Sequence, residues 1–126
     1  MPKFGKTSTA NLATCNIKLQ LLMNTVIGCT DCSIIAGYRD KETQDKYYKE
    51  GTSRFQYPDG KHNQKPSMAV DVIPYPFSGW DDINGFNRLV GVIQGIAHTL
   101  GIEIECGADW TWKDYPHIQL KKKKGA

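Results

Sequence analysis

At 126 residues the chain has the length of one domain, and a chain of this size can bury about two-thirds of its unfolded surface, so its core needs no disulfide or metal staple. With 40% hydrophobic and 23% charged residues it has the composition of an ordinary globular protein, and no apolar run nears the ~20 residues that span a bilayer, which excludes a membrane-spanning helix. Net charge is +3, yet Lys121 to Lys124 alone supply four positives, so the body is close to neutral and no specific nucleic-acid surface is expected.

The first ten residues carry positive charge but no apolar segment, so no signal peptide is predicted and the chain is expected to be made and kept in a cytoplasm. Residues 10–27 place Leu12, Cys15, Leu19, Leu22, Met23 and Val26 at helical spacing. This predicts one helix, capped by Thr9 or Asn11 and stopped by Gly28. Cys29 and Cys32 form a lone C-x-x-C between that helix and a strand, Ser33 to Ala36. A thioredoxin-like site has the opposite order, strand then helix, and structural zinc wants a second pair, whereas Cys15 and Cys106 are isolated. The four cysteines therefore read as reduced thiols, with the pair in a turn.

Lys41 to Glu50 predicts a second helix with Asp40 as N-cap, Gly51 past its end, and Gln44, Tyr47 and Tyr48 on its faces. Residues 52–65 are rich in Pro, Gly, Asn, Asp and Lys, a long loop of the kind that often carries function. A strand over Ala69 to Ile73 follows, stopped by Pro74-Tyr75-Pro76. Residues 81–100 present Phe86, Leu89, Val90, Ile93, Ile96, Ala97 and Leu100 on one helical face, and Gly101 ends it. Ile102 to Cys106 alternates like a half-buried strand. A loop with Asp109, Trp110 and Trp112 then leads to a last strand, Pro116 to Leu120. The pattern is α+β, a small sheet covered by helices, in a single domain over residues 1–126 with a basic tail at 121–126.

Side chains alternate along a strand. Val70 and Val72 therefore face one way and Asp71 the other; Ile118 and Leu120 face one way, His117 and Gln119 the other. A carboxylate in so apolar a stretch is costly unless paired or bound to a cation. With His62 in the long loop, His62, Asp71 and His117 make the three-ligand set that catalytic zinc takes, leaving a fourth position for water. Asp114 could accept that water's proton if a turn at Lys113 to Pro116 brings it round. The competing reading is a buried Asp71 satisfied by backbone donors beside a surface His62. His98 reads as a helix C-terminal histidine favoured by the dipole. Arg39, just past a strand, could bind a substrate carboxylate or an oxyanion, or pair a surface carboxylate. Ser67 is a second candidate donor to substrate. Trp110 and Trp112 either wall a cleft or fill a core.

Ile35-Ala-Gly-Tyr-Arg-Asp-Lys-Glu-Thr-Gln44, followed by Tyr47, Tyr48 and Gly51, resembles the opening motif of the M15 family of zinc peptidases. Lys61-His-Asn-Gln-Lys-Pro-Ser-Met-Ala-Val-Asp-Val-Ile-Pro-Tyr-Pro76 is similar to their ligand segment in its phage endolysin form, and Asp114-Tyr-Pro-His-Ile-Gln-Leu120 to their closing segment. The resemblance runs from about Phe4 to Leu120. It implies zinc on His62, Asp71 and His117, Asp114 as catalytic carboxylate, and Arg39 as a substrate or transition-state contact, with Gln44 and Ser67 as further substrate contacts. It implies a small antiparallel sheet with packed helices, the architecture of D-alanyl-D-alanine carboxypeptidases and hedgehog signalling domains.

The implied activity is cleavage of peptidoglycan stem peptides between L-alanine and D-glutamate by an endolysin, for host lysis. The alternatives are D-alanyl-D-alanine carboxypeptidase activity and a non-catalytic wall-binding domain of the same fold. The expected setting is the host bacterial cytoplasm, with access to the wall after release, as a monomer whose lysine tail weakly contacts anionic membrane or lipopolysaccharide. One departure stands out: many members have serine two residues before the first histidine ligand, where this chain has Gly60.

Overall fold

The computed structural model describes residues 2–121. Its elements run α1 (Lys6–Ala13), α2 (Ile17–Val26), β1 (Cys32–Ala36), α3 (Lys41–Lys49), a 3-10 turn (Lys61–Asn63), β2 (Ala69–Pro74), α4 (Ile83–Leu100), β3 (Ile104–Cys106), a second 3-10 turn (Gly107–Asp109) and β4 (His117–Leu120). The strands form one antiparallel sheet in the order β1-β2-β4-β3. Among the described residues no helix is long and apolar enough to cross a membrane.

The predicted first helix is two helices. Its chain breaks at Thr14 to Asn16, because the Thr14 carbonyl accepts from Ser67 N (2.9 Å) and Asn16 N donates to the Ser67 carbonyl (2.8 Å). Those hydrogen bonds, with Cys15 bridged to Ser67, replace the helical ladder there. Asn16 then caps α2 by accepting from Lys18 N. α3 starts at its predicted cap and α4 stops at its predicted glycine, while α4 begins at Ile83, two residues later than expected. Asp40 accepts from Thr43 N and opens α3; Asp82 accepts from Gly85 N and opens α4. Gly101, at φ 71°, ends α4 in the left-handed conformation that glycine adopts most easily.

The core forms where α2 and α4 cover one face of the sheet. Leu19, Leu22, Met23 and Val26 of α2 meet Leu89, Val90, Ile93 and Ala97 of α4, over Ile34, Val70, Val72 and Ile118. Fully burying one such side chain contributes ~1.5–3 kcal/mol. Leu100, expected on the apolar stripe, is exposed at the helix end, and His98 is exposed in its last turn. The outer edge of β1 is closed by α1: Ser8 Oγ accepts from Ile34 N and Asn11 Nδ2 donates to Ile34 O, so that edge offers no free ladder to another chain.

All four cysteines are free thiols. Cys29 is exposed in the turn after α2, while Cys32 is buried at the start of β1. Burial pushes the thiols of Cys15 and Cys106 up to about 11 and that of Cys32 up to about 12, which keeps them protonated and inert. Of the basic tail only Lys121 falls among the described residues; its N–H donates to Glu103 O.

Candidate active site

The face of the sheet away from α2 and α4 carries the polar side chains of β2 and β4. These are the two central strands, and Asp71 and His117 are direct cross-strand partners. His62 comes to the same point from the long loop. Its 3-10 turn is tied down because Arg39 N donates to the His62 carbonyl (2.8 Å). One donor atom each from His62, Asp71 and His117 lie within 4.8 Å of one another. His62 Nε2 is 3.2 Å and His117 Nδ1 3.6 Å from Asp71 Oδ1.

The donor chemistry fits a cation. His62 Nδ1 faces the Gly37 carbonyl at 2.8 Å, and a carbonyl only accepts, so Nδ1 carries the proton. His117 Nε2 faces Gln119 Oε1 at 2.8 Å, and Gln119 Nε2 donates to Glu105 Oε2, which turns the amide oxygen toward the ring. Both neutral imidazoles thus aim an inner lone pair at a carboxylate oxygen. Acceptors facing one another at this range need a shared proton or a metal cation between them. Outer partners that fix the tautomer in this way are the usual second shell of a histidine metal ligand.

With a shared proton in place of a cation, burial still works to raise the Asp71 carboxyl, but a protonated His62 and a hydrogen bond from His117 outweigh it and hold the group well below the usual carboxylate range. Burial would lower His117, and the Asp71 carboxylate instead pushes it upward.

Asp114 arrives through the predicted turn. His117 N donates to Asp114 O (3.1 Å), and Val72 N to the Pro116 carbonyl (2.9 Å), which locks the turn to β2. Asp114 Oδ2 stands 4.0 Å from His117 Nδ1, the nitrogen that also faces Asp71. Its side chain is 33% exposed. Burial, then the neighbouring Asp71 charge, raises its carboxyl above the usual range, a direction that favours proton uptake. Gly107 makes the turn possible. Its carbonyl accepts from Asp114 N at 3.0 Å, and a Cβ on Gly107 would run into the Asp114 carbonyl. Gly107→Ala is therefore expected to destabilise the protein by ~1–3 kcal/mol through overpacking. Thermal unfolding checks this, and an unchanged midpoint would remove the crowding argument.

Arg39 lies under the cleft with its side chain 11% exposed. Its Nη2 is 3.4 Å from Asp71 Oδ2, its Nη1 donates to Gln44 Oε1 at 3.0 Å, and its guanidinium lies 4.7 Å over the Tyr47 ring. Gln44, expected to touch substrate, has no capacity left for it. Its oxygen accepts from Arg39 and Asn63, its nitrogen donates to Ser53 Oγ and Phe55 O, and it is 1% exposed. It positions Arg39. Ser67 is fully buried at the break between α1 and α2, with Oγ bonded to the Ala69 backbone, so it too faces away from any ligand. Gly60 is packed against Asn63: its N–H donates to Asn63 Oδ1, and a Cβ would come within 2.7 Å of that atom. A serine there would displace the side chain that braces Arg39 and Gln44.

A cleft of about 500 Å³ opens over this cluster, lined by Arg39, Tyr47, His62, Asp71 and His117, with Ile35 and Trp80 on its wall. Trp110, whose ring lies 5.0 Å from that of His117, and Trp112 wall the space beside it rather than filling the core. Gln119 and Glu105 had no role assigned from sequence, although strand alternation already put Gln119 on the His117 face. Nothing in the sequence marked Trp80.

Residues 1–124 match the family model described as phage L-alanyl-D-glutamate peptidase. Among solved structures, the chain is similar to the Serratia marcescens L-Ala D-Glu endopeptidase ChiX, with a TM-score of 0.80 and 24% identity over 94% of this chain and 90% of that one. This likeness establishes the shared α+β fold. No curated protein matches the chain.

Proposed function

Because the chain belongs to the phage L-alanyl-D-glutamate peptidase family, we propose that it cleaves that bond in peptidoglycan stem peptides as a zinc enzyme, with His62, Asp71 and His117 holding the ion and Asp114 moving the proton. The observation that carries the zinc centre is the pair of imidazoles whose outer nitrogens are committed to Gly37 and Gln119 and whose inner lone pairs converge on Asp71.

His62, Asp71 and His117 would hold the zinc, which would supply Lewis-acid chemistry for the scissile carbonyl and for water near neutral pH. Asp114 takes that proton and hands it to the departing amine of D-glutamate. Arg39, fixed by Gln44, Tyr47 and Asp71, presents its charge to the oxygen on which negative charge gathers.

In this proposal the enzyme is a monomer made in the host cytoplasm that meets the wall after release. Its lysine tail adds weak attraction to anionic membrane or lipopolysaccharide. Elemental analysis should find one zinc per chain, and mass spectrometry of digested muropeptides should find a new L-alanine carboxyl and a new D-glutamate amine. Loss of terminal D-alanine instead would assign a carboxypeptidase. A zinc-free protein that binds wall without cutting it would leave only the wall-binding reading.

A further inference from the structure

The cleft over the metal ligands is not symmetric. The sheet order puts β1 at one edge and β3 at the other, with the ligand strands between them. On the β1 side the wall carries an apolar side chain, Ile35, unpaired at the bulge of β1 and 40% exposed. Toward β3 the cleft runs into a second cavity of about 490 Å³, and Ser53, Phe55, Lys61 and Gln119 line both spaces.

That second cavity has Trp110 and Trp112 as walls and two cations, Lys61 and Arg54. Among the described residues neither cation forms an ion pair. The Arg54 guanidinium carbon lies over the Trp112 ring, 4.5 Å from its centroid, which orients it without neutralising it. Lys61 precedes His62 in the same 3-10 turn, so its position is tied to that of a candidate ligand. The acids here are placed differently. Glu105 keeps its charge but has its oxygens engaged by Trp110 Nε1 and Gln119 Nε2, and Asp59 is exposed at the rim, as is Arg54. Arg39 is held by Asp71 and Gln44 and, in the reading above, faces the oxygen of the scissile carbonyl, so the substrate carboxylate needs a different cation.

The substrate has a matching asymmetry. D-glutamate carries two carboxyls; one continues the chain and the other stays ionised, next to the bond that breaks. The alanine side offers a methyl group. We propose that Lys61 and Arg54 form a subsite for the free carboxylate of D-glutamate, so that the leaving-group side of the substrate lies toward β3 and the L-alanine side toward Ile35 on β1. This rests on the peptidase reading above and adds to it a direction of binding and a basis for selecting an acidic residue.

The test compares two soluble N-acylated L-alanyl-D-glutamyl peptides, one with the free carboxylate and one with a carboxamide in its place, using zinc-loaded enzyme. Wild type should favour the carboxylate in kcat/KM by about tenfold or more, as a charge-assisted hydrogen bond implies. The double variant K61Q/R54Q should bring that ratio to within about twofold of one, and K61R should keep it high. Equal cleavage of both peptides by wild type, or a wild-type ratio in the double variant with zinc retained, overturns the subsite. Failure of wild type to cut either peptide overturns the peptidase reading itself, and the subsite with it.

Discussion

Asp114→Asn is expected to stay folded and zinc-loaded while kcat/KM for stem-peptide hydrolysis falls by ~10²–10⁴-fold, the range general acid–base catalysis covers. The amide keeps the shape of the carboxylate but cannot accept the proton. Asp114 is held by backbone hydrogen bonds, Asp114 N to Gly107 O and His117 N to Asp114 O, which the substitution leaves alone. It also removes the repulsion between Asp114 and Asp71, so the unfolding midpoint is not expected to drop. Turnover of purified wall fragments, zinc content and a thermal melt give the three readings. Wild-type lysis by this variant would mean another group takes the proton. Loss of zinc would make Asp114 a ligand rather than a base.

Asp71→Ala is expected to abolish stoichiometric zinc binding and activity together and to destabilise the fold. Asp71 Oδ1 faces both imidazoles, and Oδ2 is the anion beside Arg39, whose side chain is 11% exposed. Removing it strands a largely buried guanidinium and turns two imidazoles, with ring centroids 5.0 Å apart, toward a void. Breaking a buried pair from one side costs on the order of 3 kcal/mol. Chelating the wild type should reproduce the loss of activity but not the stranded charge, so the variant should melt below the chelated wild type. Full zinc occupancy in the Asp71→Ala protein would contradict the assigned donor set.

The elements with local signals were legible in the sequence. Asp40 starts α3, Gly101 stops α4, and strand alternation correctly sorts Val70, Val72, Ile118 and Leu120 into the core, away from Asp71 and His117. The break between α1 and α2 was not, because its cause is a partner some fifty residues away: Ser67 takes the backbone hydrogen bonds of Thr14 and Asn16. The same contact takes Ser67 out of reach of substrate. Gln44 shows the other limit. Helical spacing puts it on a face, but only the folded loop 52–65 reveals that Ser53, Phe55 and Asn63 use up its hydrogen bonds. Convergence of His62, Asp71 and His117 likewise depends on β4 pairing with β2 rather than with β1, which chain order does not specify.

His62 belongs to a long surface loop, whereas Asp71 and His117 belong to the two middle strands. An ion gripped by all three would be a cross-link between that loop and the centre of the sheet. A ligand that binds only the native state adds about 4 kcal/mol to stability at a thousandfold excess over its Kd. The ion needed for hydrolysis would then also govern survival, and an enzyme starved of metal would be both idle and short-lived under heat or proteolysis.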